Sequence, residues 1–140
     1  QTHRRDMNNV WVNGAFDVLH IGHVRLLAKA KSFGHVRVGI DSDARIKHMK
    51  GPDRPFNTAD ERMEMLLALK YVDEVVIFND EEELIECIRD YGPKYMVIGS
   101  DYANKTIIGS QFIDHIILFD RIYDKSTTSI LEHGKNSGNR

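Results

Sequence analysis

From Val10 to Phe119, short runs rich in β-branched and aromatic residues alternate with stretches of helical periodicity. The runs are Val10–Phe16, Val36–Ile40, Val72–Phe78, Tyr95–Gly99 and His115–Phe119, and helical patterns run on to Phe33 after the first, from Thr58, and from Asp80. Strands separated by helices cannot pair as hairpins; they lie parallel, with the helices covering both faces of the sheet. The pattern therefore predicts an α/β fold, a Rossmann-like three-layer α/β/α unit around a five-stranded parallel sheet. A chain of 140 residues has room for one such core. The domain is expected over residues 10–133, with the polar, aperiodic ends 1–9 and 134–140 as flexible tails.

Helix ends carry their own signals. Thr58 and Glu61 have capping-box spacing, and Ala59, Met63, Leu66 and Leu67 give the following helix an apolar face. Asp80 and Glu83 open the next helix, Leu84, Ile85, Ile88 and Tyr91 form its stripe, and Gly92-Pro93 stops it. The acidic run Asp80–Glu83 reads as a solvated first turn that complements the helix dipole. One long stretch, Ser42–Asn57, has no clear periodicity and is expected to be a mobile, functional loop.

Several function classes are disfavoured. A formal charge of −2 with dispersed Lys and Arg offers no basic stripe for nucleic acid. No apolar run approaches the ~18 residues of a membrane span. Cys87 is the only cysteine, so no intrachain disulfide can form, and a reducing, cytoplasmic setting is expected.

In a parallel sheet, ligands bind beyond the carboxyl ends of the strands, where helix N-termini offer amides to anions. Asn13–His23 lies at such a place. Gly14 permits a sharp turn, Gly22 a close approach to the helix, and His20 and His23 can face one side of its first turn. Imidazoles donate hydrogen bonds in either protonation state, so an anion site is one reading, and a helix cap or surface residue the plainer one. A zinc site could also begin with two histidines, but Cys87 belongs to another helix and no third ligand is evident. No metal ligands are assigned. Lys47 and Lys50 are either phosphate ligands or solvated loop lysines, and Arg62 either a ligand or a surface ion-pair residue.

The stretch GAFDVLHIGH, Gly14–His23, resembles the G-x-F-D-x-x-H-x-G-H signature of the cytidylyltransferase-like nucleotidyltransferases. Lys50–Val76 and IGSDY, Ile98–Tyr102, are similar to the adenylyltransferase domain of ADP-heptose synthesis. STTSI, Ser126–Ile130, is similar to the Ser-Thr-Thr motif that precedes the last helix of the family, although Asp124 and Lys125 replace the residues usual before it. Arg121 sits where glycerol-3-phosphate cytidylyltransferase has an arginine.

The resemblance implies transfer of a nucleotidyl group from a nucleoside triphosphate to a sugar or polyol phosphate, with release of pyrophosphate. Adenylyl transfer to a heptose 1-phosphate-like acceptor is the main reading. The alternatives are a glycerol-3-phosphate cytidylyltransferase and a nucleotide-binding homologue that has lost catalysis. It further implies His20, His23, Lys50 and Arg121 as catalytic residues. Asn13, Gly14, Phe16, Asp17, Gly22, Lys47, Arg62, Ser126 and Thr127 would bind the nucleotide, and Asp41 and Asp101 the acceptor. Asp17 would orient rather than ligate a metal. Mg2+ is expected on the triphosphate, and a homodimer as the working form.

Overall fold

The computed structural model describes residues 8–100 and 106–120, and the backbone of 128–131. The elements run β1 (Asn9–Gly14), α1 (Ile21–Lys31), β2 (His35–Asp41), α2 (Asp43–Lys50), α3 (Ala59–Leu67), β3 (Glu74–Phe78), α4 (Glu81–Tyr91), β4 (Tyr95–Gly99), a 3-10 turn (Ser110–Phe112), β5 (His115–Phe119) and β6 (Thr128–Leu131). The strand order is β3-β2-β1-β4-β5-β6. The first five strands are parallel, as their pattern predicts, and β6 adds an antiparallel strand beside β5, with Phe119 opposite Thr128. That strand corrects one expectation: β6 begins at Thr128, the last residue of the Ser-Thr-Thr motif, where a helix start was anticipated. β1 also begins one residue early, at Asn9, which pairs with His35.

Alternation along the strands divides the core. Val10 and Val12 of β1 join Val36, Val38 and Ile40 of β2, under Leu26 and Leu27 of α1 and Leu66 of α3. Trp11 faces the other way, toward Phe78, Met96, Ile116 and the Leu84, Ile88 and Tyr91 stripe of α4. The sheet is thus covered on both sides, the three-layer α/β/α arrangement. Each such side chain, fully buried, contributes roughly 1.5–3 kcal/mol relative to exposure.

The predicted caps form. Thr58 Oγ1 accepts from the Glu61 amide while the Glu61 carboxylate accepts from Thr58. Asp80 accepts from the Glu83 amide, and Gly92 ends α4 in the left-handed region at φ 64°. Two expectations need correction. Ser42–Asn57 is not one irregular loop: Ser42 caps a helix, α2, and only Gly51–Asn57 is irregular before Thr58. On α3, Leu67 is 47% exposed, and the inward position is taken by Arg62, which has no exposed surface.

Candidate nucleotide site

A cleft of about 590 Å³ opens where β1 and β4 end. Val12, Asn13 and Gly14 of β1 and Val97, Ile98 and Gly99 of β4 form its floor, and His20, His23 and Lys50 are among its walls.

His20 is the N-cap of α1, and its Nδ1 accepts from the Gly22 amide at 3.1 Å. His23, at the third helical position, returns the contact: its Nδ1 accepts from the His20 amide at 3.2 Å. This is a capping box in which imidazoles do the work usually given to Ser or Thr and Glu. A neutral ring that accepts at Nδ1 must carry its proton at Nε2, so the box presets both tautomers as Nε2–H donors on the ring edge away from the helix backbone. The two rings stack with centroids 3.8 Å apart, and the Phe16 ring meets His23 edge-on at 5.1 Å. Phe16 holds φ at +50°, and a Cβ on residue 14 would approach its ring to 3.2 Å, tighter than an ordinary contact; Gly14 itself ends β1 without a positive φ, so the sharp turn expected at Gly14 falls at Phe16.

Asp17 is buried and staples two loops. Its carboxylate accepts from the amides of Phe56, at 2.8 Å, and Asn57, at 2.9 Å, and from Arg54 Nε at 3.3 Å. Burial pushes its pKa up, but the two amides and the Arg54 guanidinium outweigh that and hold it below the ordinary carboxylate value. Arg54 also stacks on the Phe56 ring, 4.7 Å from its centroid. Asp41, at the end of β2, lines the cleft and accepts from Arg45 Nε at 2.7 Å.

Arg62 lies beneath the site, outside the cleft lining. Its guanidinium donates to the carbonyls of Ala15 (2.9 Å), Asp41 (2.8 Å) and Asn57 (3.0 Å) and to the Asp43 carboxylate (2.7 Å). It clamps the loop after β1, the end of β2, the start of α2 and the approach to α3. Neither the surface ion pair nor a direct phosphate contact describes it. Gly22 is buried in the first turn of α1, and Lys47 is exposed on α2; neither lines the cleft. The structure therefore brings together Asn13, Gly14, Phe16, Asp17, His20, His23, Asp41 and Lys50. Asp101, Arg121, Ser126 and Thr127 lie outside the described residues. Sequence reasoning missed Arg54, Met49 and the apolar wall of Leu84, Met96, Ile107 and Ile108. Arg54 meets its partner Asp17 only across 37 positions of chain, so no local pattern announces it.

The family model described as cytidylyltransferase-like matches residues 11–133. The chain belongs to the cytidylyltransferase-like family. Among curated relatives of this cytidylyltransferase-like domain, "Bifunctional protein HldE" of a Nitratiruptor species is 44% identical over 131 residues, 93% of the chain. The protein of the same name from Sulfurimonas denitrificans is 45% identical over 126 residues, 88% of the chain. The chain spans only 28% and 26% of the length of these two relatives. Among solved structures, the lipopolysaccharide core biosynthesis protein from Thermoplasma volcanium aligns with a TM-score of 0.60 at 25% identity, covering 68% of this chain and 76% of that one. Pantothenate synthetase from Thermus thermophilus shares the fold, with a TM-score of 0.56 at 14% identity over 81% of this chain and 55% of its own. No helix among the described residues is long and apolar enough to cross a membrane.

Proposed function

We propose that this cytidylyltransferase-like domain is a nucleotidyltransferase that moves an adenylyl group from ATP to a heptose 1-phosphate-like acceptor. The observation that carries the reading is the interlocked histidine pair: two imidazoles fixed as Nε2–H donors at the mouth of a cleft at the strand ends. In the proposed reaction an oxygen of the acceptor phosphate attacks the α-phosphorus, the bond from that phosphorus to its bridging oxygen breaks, and pyrophosphate leaves. The attacking phosphate is already ionised near neutral pH, so the site needs no general base; it needs donors for growing negative charge. His20 and His23 supply them, and Lys50 and Arg54 line the same cleft. Arg121, Ser126, Thr127 and Asp101 keep the roles implied by the resemblance, as does Asp41 toward the acceptor.

The choice of adenylyl transfer is supported by the HldE relatives together with the long similarity of Lys50–Val76 to the adenylyltransferase domain of ADP-heptose synthesis. Among the described residues no group of three His, Cys, Asp or Glu is placed to hold a metal, and Asp17 and Asp41 already have hydrogen-bond donors. In the proposed reaction Mg2+ would be carried mainly by phosphate oxygens and water and would neutralise charge on the triphosphate. A homodimer in the cytoplasm is the proposed working form, which sedimentation of the full-length protein tests.

Pyrophosphate release with ATP, CTP, GTP and UTP, each with Mg2+ and with heptose 1-phosphate or glycerol 3-phosphate, tests the activity. ATP with heptose 1-phosphate is the expected pair. Turnover of CTP with glycerol 3-phosphate alone would replace the adenylyl reading, and nucleotide binding without any turnover would favour an inactive homologue.

A further inference from the structure

Trp11 is fully buried and lies outside the cleft lining, yet it reaches a cleft residue: its Nε1–H donates to the side chain of Asn13 at 2.8 Å. An indole N–H can only donate, so the atom it meets must be the amide oxygen of Asn13 and not the nitrogen. The orientation of this amide is therefore set by chemistry. Residues 11 and 13 share one face of β1, and the register partner of Asn13 on β2 is Gly39. A Cβ at position 39 would lie 2.5 Å from Cζ2 and 2.7 Å from Cη2 of the indole, so only glycine leaves Trp11 the place from which it reaches forward. With Oδ1 turned back to the indole, the Asn13 NH2 group is the edge left for the cleft.

We propose that Trp11 is a positioning residue: it holds the Asn13 amide so that its NH2 group, and not its carbonyl oxygen, meets a phosphate oxygen of the bound substrates. The inference rests on the nucleotidyl-transfer reading. Without the indole the amide is free to flip, and the flipped form presents a lone pair to an anion. A donor fixed before substrate arrives costs no reorganisation during the reaction, so its loss appears in turnover more than in binding.

Trp11 is the only tryptophan, so the protein has a single indole N–H signal in a nitrogen–proton correlation spectrum. Asn13→Ala should move that signal to the position of an unbonded indole. Titrating wild type separately with ATP–Mg2+ and with heptose 1-phosphate should also shift it, and the ligand that does so identifies which phosphate Asn13 meets. Trp11→Phe should lower kcat about 3- to 10-fold, the worth of one hydrogen bond, with KM changed less than about two-fold. Should that core variant fail to fold, Asn13→Asp answers instead. It can still accept from the indole but presents an anionic oxygen to phosphate, so kcat/KM should fall on the order of 10²-fold with the indole signal still in its bonded position. Full turnover in Trp11→Phe or Asn13→Asp, or an indole signal unmoved by both ligands, overturns the proposal. Wild-type pyrophosphate release in the same assay separates the two ideas: if wild type turns over and the variants match it, only the positioning role falls, and if wild type is inert with every pair, the transfer reading falls and the role with it.

Discussion

One substitution at His23 would confuse the cap it makes with the donor role proposed for it. Its Nδ1 holds the His20 amide, and its ring, stacked against His20 and edged by Phe16, is set as an Nε2 donor. His23→Ala removes both, so we expect a stability loss of about 0.5–2 kcal/mol for the cap and a fall in turnover on the order of 10²–10³. His23→Gln separates them, because glutamine at this position of a capping box can restore the backbone contact. Its melting temperature should recover while single-turnover rates stay low; recovery of both would reduce His23 to a cap. Asp17 gives a prediction in pH. Its folded pKa lies below its ordinary value, so its contribution is complete above the unfolded value of about 3.9 and is lost as pH falls through the lower folded value. Asp17→Asn should be less stable than wild type by about 1–3 kcal/mol near neutrality, and the gap should close in acid. Parallel melting curves of the two proteins from pH 7 to pH 2 measure that gap, and a constant difference would show that the staple does not depend on charge.

At the level of elements, how much could be read in advance depended on whether a signal was local. The Thr58–Glu61 box, the Asp80 cap and the Gly92 stop are short-range hydrogen-bond or backbone requirements, and all three form. Helix α2 escaped notice because Ile46 is its sole buried residue, which leaves no apolar stripe to detect. Arg62 carried a signal that polarity masked: it sits three residues after Ala59 and four before Leu66, on the inner face of α3, and its four hydrogen-bond partners are 5 to 47 residues away in sequence. Within the cleft, the histidines and Asn13 were legible from one contiguous stretch, while Arg54 and the apolar wall were assembled by the topology. The clamp also makes Arg62→Lys non-conservative. One ammonium cannot reproduce the planar fork, and at least one buried carbonyl loses its donor. We expect about 2–4 kcal/mol of destabilisation, seen as a lower urea midpoint with unchanged m-value.

Across the whole molecule, the strand order changes direction between β1, which leads to β2 and β3, and β4, which leads to β5 and β6. Such a switch point is where a doubly wound sheet leaves a crevice, and the cleft is found there. A nucleotide that binds only the native state stabilises it by mass action, about 2.7 kcal/mol at a hundred times Kd. For a domain of this size that is a rise in melting temperature on the order of 10 °C. ATP–Mg2+ should produce it, and equal shifts with all four nucleotides would deny base selectivity. The crevice also has a mechanical side. β1 is zipped to β2 from Asn9 to Gly14 but meets β4 at only two rungs, Val10 with Tyr95 and Trp11 with Met96. The two halves of the sheet are thus bound like a book by a short seam at the foot of its spine, with the upper spine left open between Val12–Gly14 and Val97–Gly99. A triphosphate lodged in that opening would act as a rivet: the amides of these segments that face the gap, unlike those laddered to β2 and β5, should exchange readily in the free protein and slow once the rivet is in place.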